Sequence, residues 1–342
     1  MKKSELKKLH KLKNKSFKEM CKKLPVLPDI LPAVRRIIVI GDLHGDWEKT
    51  LESLRIGKVI NKDNKWIGED TVVVQLGDQI DRCRFNGIPC ERPEATKPDE
   101  ASDITILKFF TDLHNQAQKK GGAVYSILGN HELMNVDGDM RYVSYMNNRD
   151  FDKYKKPNGK KFNSGEEARV WAFKPGNPLA NFLGCTRLMA LIIGKHLFVH
   201  AGIIPEIANK YSVKDLNTIL SLYLMNKITN PQDYTEVLHS GHESPLWNRI
   251  FGNININQKD CNKLMKPLEK IYKVGKIYVG HTPQLNQGIN SSCNGRVILA
   301  DYGVSKAFDD YDIKYQETGQ RADIREVQVL EILNDGNPTI LK

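Results

Sequence analysis

The chain of 342 residues lacks the sequence features of several protein classes. No apolar run approaches the roughly 20 residues that are needed to span a bilayer. The Lys-rich N-terminus is followed by no apolar core of a secretory signal. The six cysteines form neither a CxxC pair nor a dense framework, so we expect free thiols. These absences predict a soluble, intracellular protein of a reducing, cytoplasmic-type compartment, without a transmembrane segment.

Charge of one sign is concentrated at the N-terminus. Residues 1–23 hold ten lysines against Glu5 and Glu19, which accounts for +8 of the formal net charge of +10. The nearly neutral remainder weakens any argument from overall basicity to a nucleic-acid enzyme. We expect residues 1–32 to form a solvated basic tail or short helix followed by a proline-rich linker. The alternative is a basic segment that docks an acidic partner, an anionic membrane or nucleic acid.

Short apolar runs rich in Val and Ile predict buried strands. They are Arg35–Ile40, Thr71–Leu76, Ala123–Leu128, Leu188–Ile193, His196–Val199, Lys276–Val279 and Val297–Ala300. Helical patterns, one of them over 103–120, lie between the first three runs and indicate parallel pairing. Gly194-Lys195 predicts a hairpin. Periodicity thus predicts a mixed α/β domain over residues 33–342, with polar insertions around 84–100, 141–182 and 205–245.

Five of the predicted strands deliver Asp, Asn or His beside Gly at their carboxyl ends. The segments are Gly41–Asp46, Gly77–Arg82, Gly129–Glu132, His200–Gly202 and Gly280–Thr282. Ligand sites of α/β sheets form at such strand ends, and oxygens of Asp and Asn with nitrogens of His suit Mn, Fe or Zn. Six donors are too many for one tetrahedral ion. Two metals that share a carboxylate would use them all and would generate hydroxide near neutral pH.

These ordered motifs resemble those of the calcineurin-like metallophosphoesterases. Asp-x-x-Asp-Arg together with Asn-His-Glu is similar to the phosphoprotein phosphatase branch. The segments Ser244–Arg249 and Asp301–Ala307 look closest to the Shewanella-like, bacterial-type phosphatases. The resemblance covers about residues 36–305. It implies a metallophosphatase fold, in which two mixed β-sheets pack as a sandwich flanked by helices in four α/β/β/α layers.

The resemblance also implies the residues of the site. Two divalent metals, Mn before Fe or Zn, would be held by Asp42, His44, Asp78, Asn130, His200 and His281, with Asp78 bridging them. His131 would be the general acid toward the leaving alkoxide, oriented by Asp81. Arg82 would hold phosphate oxygens, since a guanidinium binds phosphate bidentately. Arg249 would be a second phosphate-binding arginine, or else an ordinary surface residue.

The sequence departs from the family pattern directly after Arg82. Cys83 stands where the family usually has Gly, and the inserted stretch 84–100 follows. We expect that stretch to be a substrate gate or a surface insertion without a role. Cys83 and Cys90 are expected to be free thiols, with a disulfide or redox switch as the alternative.

The expected function is that of a metal-dependent phosphatase. It would hydrolyse phosphomonoesters, on proteins phosphorylated at Ser, Thr or Tyr, by attack of a hydroxide bound to both metals. The alternative is a hydrolase of dinucleoside polyphosphates or other small phosphate compounds, although no base-stacking aromatic stands out. A phosphodiesterase or nuclease is a third hypothesis. An inactive binding module should lack metal ligands, and none of the six is missing. The sequence indicates nothing about oligomeric state.

Overall fold

The computed structural model describes residues 3–22, 24–253 and 256–342. The strands are β1 Ile30–Leu31, β2 Arg36–Ile40, β3 Val72–Gln75, β4 Ala123–Ile127, β5 Arg187–Leu188, β6 Ala190–Ile193, β7 His196–Val199, β8 Lys276–Val279, β9 Asn290–Ser292, β10 Val297–Leu299, β11 Val329–Leu333 and β12 Pro338–Leu341. The α-helices are α1 Lys3–Met20, α2 Trp47–Ile56, α3 Asp103–Gln118, α4 Asn130–Asp137, α5 Tyr145–Arg149, α6 Gly165–Phe173, α7 Pro178–Thr186, α8 Pro205–Lys210, α9 Val213–Leu224, α10 Thr235–Leu238, α11 Gln258–Tyr272 and α12 Ile313–Thr318. Short 3-10 helices cover Pro231–Tyr234, Cys293–Gly295, Lys306–Tyr311 and Asp323–Arg325.

The strands form two mixed sheets of six strands each. The first sheet has the order β12-β11-β2-β3-β4-β5, and β2, β3, β4 and β5 run parallel. The second sheet has the order β1-β6-β7-β8-β10-β9, with parallel pairing of β7, β8 and β10. Parallel neighbours place their carboxyl ends at one edge, so the loops after β2, β3, β4, β7 and β8 can share a site.

Alternation along the second sheet shows how the layers pack. Leu191 and Ile193 of β6 join a buried cluster with Ile38 of the first sheet. Their neighbours Ala190 and Ile192 join a cluster with the helices on the other side of the sheet. Because successive strand side chains point to opposite faces, one face of the second sheet packs on the first sheet and the other on helices. The four-layer expectation is confirmed.

Most predicted elements are present, and one predicted strand is divided. The run predicted over 188–193 is two strands in different sheets, since β5 pairs with β4 and β6 pairs with β7. The predicted hairpin is the antiparallel pair of β6 and β7. Periodicity missed β1, β9, β11 and β12, which are short or form the outer parts of the sheets. The three predicted insertions contribute loops and helices but no strand to either sheet.

Of the two forms expected at the start of the chain, the structure shows a helix, α1 over Lys3–Met20, but the helix is packed on the body instead of solvated. α1 packs along α9, where Leu6 and Leu9 are partly buried against the core, and Nε2 of His10 lies 2.8 Å from Oδ1 of Asp215. Farther on, β1 pairs with β6, so a boundary at residue 32 does not separate a tail from the packed body. The apolar spacing of the leucines within the lysine-rich stretch makes an amphipathic helix, which can bury one face.

The expectation of free thiols is also wrong. Disulfides join Cys21 to Cys185, Cys83 to Cys90 and Cys261 to Cys293, and no cysteine of the described chain is free. Two of these bridges connect residues 164 and 32 positions apart, which no local spacing pattern reveals. In the part of the chain that the structure describes, no helix is long and apolar enough to cross a membrane.

Candidate metal centre and active site

The predicted metal ligands meet at the carboxyl edge of the two sheets. The loops after β2, β3 and β4 bring Asp42 and His44, Asp78, and Asn130, while the loops after β7 and β8 bring His200 and His281. All six are buried. Several of them face an open cavity of about 230 Å³. Residues up to 239 positions apart in sequence are in contact there.

Two clusters of potential metal donors share Asp78. One combines it with His44 and His131, and the other with His200 and His281. Within each cluster the ligand atoms lie within 4.8 Å of one another. A carboxylate common to two donor clusters is the arrangement that a pair of metals requires.

Asn130 belongs to the cluster that contains His200 and His281. Its Oδ1 lies 2.9 Å from Nε2 of His200 and 2.8 Å from Nδ1 of His281. The amide oxygen therefore converges with two imidazoles, and these donor types suit a transition-metal ion.

Asp42 completes the set of donors with an oxygen that has no partner. Its Oδ2 accepts a hydrogen bond of 2.8 Å from the backbone N–H of His281, but its buried Oδ1 has no hydrogen-bond partner. Burial, aided by the carboxylates of Asp301 and Asp78, raises the pKa of Asp42 well above its usual range. A buried carboxylate oxygen without a partner is costly unless a cation balances it. The residues present thus fit a metal at this position.

The electrostatics of the histidines also suit metal ligation. Burial, together with the charges of His200 and Arg249, lowers the pKa of His281 to about 3. Burial, with the charge of Arg84, lowers the pKa of His44 well below its usual range. Neutral imidazole is the form that binds metals, so both side chains are held in the ligating form.

Two of the motif glycines make room for carboxylates from other motifs. A Cβ atom on Gly129 would lie 2.1 Å from Oδ1 of Asp78, and one on Gly280 would lie 2.1 Å from Oδ1 of Asp42. Any other residue would collide with a predicted metal ligand. The Gly that accompanies each polar residue therefore has a steric cause.

Four of the predicted site residues have left-handed backbone conformations. The φ angles are 42° at His44, 49° at Asp78, 70° at Asp81 and 67° at His281. Such conformations are rare for residues other than Gly and persist only where the surrounding structure enforces them. The loops of the site hold their side chains in place at a conformational cost.

Glu132 is a residue of the site to which the sequence analysis gave no role. Its carboxylate accepts hydrogen bonds from the backbone N–H groups of Asp78, Gln79, Ile80 and Gly129 at 2.7–3.3 Å. Burial, with the nearby charge of Asp78, raises the pKa of Glu132 to about 7. The Asn-His-Glu motif was its only signal. Glu132 ties the loop after β3 to the start of α4.

His131 and Asp81, the expected general acid and its orienting partner, are in contact. Nδ1 of His131 lies 2.9 Å from Oδ2 of Asp81, and the imidazole borders the cavity. Asn135 donates to Oδ1 of Asp81 at 2.9 Å, and Nη2 of Arg169 lies 3.6 Å from the same oxygen. The carboxylate that orients His131 is therefore itself fixed from two sides.

Arg82 is not brought to the cavity, which corrects the expectation. Its side chain is 2% exposed, and its guanidinium donates to the carbonyl of Gly45 at 2.9 Å, to Glu100 at 2.5 Å and to the carbonyl of Pro98 at 2.9 Å. Through these contacts Arg82 anchors the loop after β2 and the inserted stretch 84–100. Arg249, in contrast, borders the cavity and donates to the carbonyl of His281 at 2.9 Å.

Other residues that border the cavity were missed by the sequence analysis. They are Arg84, Phe85, Tyr142, Pro283, Asp301, Phe308 and Tyr311. Four of them are aromatic, so the expectation that no aromatic side chain stands out is wrong. They come from several segments far apart in sequence, among them the inserted stretch with Arg84 and Phe85 and the 3-10 helix with Phe308 and Tyr311. Burial raises the pKa of Asp301 to about 6, and its Oδ2 has no hydrogen-bond partner.

Comparison with known proteins agrees with this geometry. The sequence model of the calcineurin-like phosphoesterases matches residues 35–285. The chain belongs to the calcineurin-like phosphoesterase family. It is a hydrolase of phosphoric esters, and the family uses divalent metals.

Individual relatives of this phosphoesterase support the assignment. An uncharacterised protein of Acanthamoeba polyphaga mimivirus is 39% identical over 251 residues, which are 66% of this chain and 95% of the relative. Shewanella-like protein phosphatase 2 of Arabidopsis thaliana is 30% identical over 305 residues, which are 80% of this chain and 73% of the relative. The solved structure of a cold-active protein-tyrosine phosphatase from a psychrophilic Shewanella has a TM-score of 0.61 at 20% identity, covering 93% of this chain and 83% of that one. The last similarity shows the fold.

Proposed function

We propose that the chain is a protein phosphatase. It would use a pair of divalent metals to remove phosphate from its protein substrates. The observation that carries the proposal is Asp78, whose carboxylate belongs to both donor clusters beside an open cavity. The Shewanella-like protein phosphatases among its relatives support a protein substrate. Manganese is the proposed metal, with iron or zinc as the alternative.

The proposed ligands of the first metal are Asp42 and His44, those of the second are Asn130, His200 and His281, and Asp78 serves both. When bound, the metals would polarise the phosphoryl group and lower the pKa of water. The chain's own residues supply the other functions. His131 would give a proton to the leaving oxygen, because its Nδ1 is held by Asp81 and an alkoxide leaving group needs that proton. Arg249 at the cavity would hold a phosphate oxygen.

The aromatic wall of the cavity bears on the substrate. Phe85 and Tyr311 are 64% and 49% exposed, and with Tyr142 and Phe308 they border the space in front of Asp78 and His131. Such a wall can pack on a flat ring. Among phosphorylated side chains it favours phosphotyrosine. The same wall supports the second candidate function, hydrolysis of dinucleoside polyphosphates, because a nucleobase also offers a flat ring.

Turnover by purified full-length protein tests the proposal. With Mn²⁺ we expect hydrolysis of p-nitrophenyl phosphate, loss of that activity on chelation, and its return when Mn²⁺ is restored. A panel of phosphotyrosine and phosphoserine peptides against diadenosine polyphosphates then ranks the substrates. Absence of turnover with Mn²⁺, Fe²⁺ and Zn²⁺ would refute the phosphatase proposal. Preference for the polyphosphates would replace it with the second candidate.

Two further parts of the proposal concern the surroundings of the enzyme. The lysines on the exposed side of α1, at positions 7, 8, 11, 15 and 18, are the proposed docking face for an acidic partner.

The predicted cytoplasmic-type compartment conflicts with the three disulfides, because disulfides persist in oxidising compartments. We expect alkylation of the unreduced protein to label no cysteine and alkylation after reduction to label all six.

A further inference from the structure

The inserted loop places an arginine where the family pattern does not. Arg84, two residues after the arginine of the Asp-x-x-Asp-Arg motif, borders the same cavity as Asp78, His131 and Arg249. Arg82 does not border that cavity, and its guanidinium donates hydrogen bonds to Gly45, Pro98 and Glu100. The two arginines have thus taken different positions on either side of Cys83.

Arg84 is held rigidly, but only part of its guanidinium is used. Its Nη1 donates to the carbonyls of Asp81 at 2.9 Å and Cys83 at 2.7 Å. Its Cζ lies 4.5 Å from the ring centre of Phe308 and 5.7 Å from that of Tyr142. In the described ranges of the chain, Nε and Nη2 of Arg84 have no hydrogen-bond partner. The arginine therefore enters the cavity oriented and with donors to spare.

The loop that carries Arg84 is closed at its base. The disulfide between Cys83 and Cys90 spans seven positions, and both sulfurs belong to residues that are at least 97% buried. The backbone N–H of Cys83 donates to the carbonyl of Tyr142 at 3.1 Å, which links this loop to the aromatic wall. Loop closure lowers the number of conformations available to the residues between the two cysteines.

We propose that Arg84, and not Arg82, is the arginine that binds the phosphate on this wall of the cavity. A guanidinium with two free N–H donors on adjacent nitrogens matches a pair of phosphate oxygens. Cation–π contacts with two rings orient it before the substrate arrives. The inference rests on the proposed function for the identity of the substrate, but binding of inorganic phosphate tests it separately.

The test measures affinity for inorganic phosphate in the full-length, Mn²⁺-loaded protein, by calorimetry and as competitive inhibition of p-nitrophenyl phosphate hydrolysis. Arg84→Ala should weaken phosphate binding roughly 10- to 100-fold, as for the loss of charge-assisted hydrogen bonds, and should raise KM in parallel. Arg84→Lys keeps the positive charge but cannot donate two parallel hydrogen bonds, so its phosphate affinity should lie between those of Arg84→Ala and the wild type. The matched control is Arg92→Ala, which removes an arginine that is 65% exposed from the same stretch and should leave phosphate affinity unchanged.

The outcomes separate this inference from the proposed function. If the wild type binds phosphate without turning over any phosphomonoester, the proposed function fails, and weaker binding by Arg84→Ala still supports the role of Arg84. Unchanged phosphate affinity in a folded Arg84→Ala protein overturns the inference. If Arg84→Ala does not fold, the phosphate affinity of Arg84→Lys is measured instead. A weaker affinity supports the inference, and an unchanged affinity overturns it. A loss of phosphate affinity in Arg82→Lys, without a loss in Arg84→Ala, would return the role to Arg82.

Discussion

Oδ2 of Asp81 lies 2.9 Å from Nδ1 of His131, and the carboxylate is completely buried. This contact fixes the ring so that Nε2 is the nitrogen left for the substrate side, where it lies 3.9 Å from Oδ2 of Asp78. The pair is arranged as a general acid with its orienting partner.

Removal of the His131 imidazole should therefore affect chemistry more than metal binding. We expect His131→Ala to lower kcat roughly 10²–10⁴-fold, the usual contribution of a general acid, with an unchanged metal content. Steady-state kinetics and metal analysis of the same preparation provide the measurement. His131 also belongs to one donor cluster, so a loss of metal from this variant would show that it is a ligand instead.

Arg169 on α6 should act on catalysis through Asp81. Its Nη2 donates to Asp103 at 2.7 Å and its Nε to Asn135 at 2.8 Å, and all three side chains are buried. Arg169→Leu should lower stability by about 3–5 kcal/mol, because the carboxylate of Asp103 is left without its partner. It should also lower kcat with little change in KM, since Asp81 and Asn135 lose a support.

A double variant separates these two effects. Adding Asp103→Leu to Arg169→Leu removes the unpaired carboxylate, so most of the stability should return. The low kcat should remain, because the support of Asp81 is still absent. Recovery of both quantities together in denaturation and kinetic experiments would mean that Arg169 has only a structural role.

Asp78 should control both metals at once. We expect Asp78→Asn to lose both ions, whereas His281→Ala should lose only one, because only Asp78 belongs to both donor clusters. Metal analysis after gel filtration gives the stoichiometry. Metal binding to the folded state should also raise the Tm of the wild type, and this rise should be absent in Asp78→Asn. Loss of a single ion from Asp78→Asn would contradict the shared carboxylate.

Deletion of residues 1–20 tests the packing of α1. Because Leu6, Leu9 and Phe17 are partly buried, the deletion should lower Tm by roughly 5 °C or more. It keeps the disulfide of Cys21 and Cys185, so the change reports the helix alone. Turnover of p-nitrophenyl phosphate should be retained, since α1 contacts α7 and α9, which contribute no residue to the cavity. An unchanged Tm would restore the expectation of a solvated tail.

Local sequence was sufficient for the donor set and for the five strands that carry it, β2, β3, β4, β7 and β8. Short runs such as 276–279 are apolar at every position but one and can only be buried on both faces, and the polar residue beside Gly at each strand end marks the edge where ligands bind. The structure brings the six predicted ligands together because parallel strands align their carboxyl ends. A motif at a strand end is a local property of the sequence. The edge of the sheet at which its side chains lie depends little on the rest of the chain.

The positions of Arg82 and Arg84 were decided by the tertiary structure. Both are arginines next to Cys83, and nothing in the local sequence tells which one faces the cavity. The partners that decide it, Gly45 and Glu100 for one and Phe308 and Tyr142 for the other, come from distant segments. The same holds for the aromatic wall, for the docking of α1 on α9, and for the long-range disulfides. A motif determines which kinds of group a segment can contact. Which of several distant partners a given side chain contacts depends on how the whole chain packs.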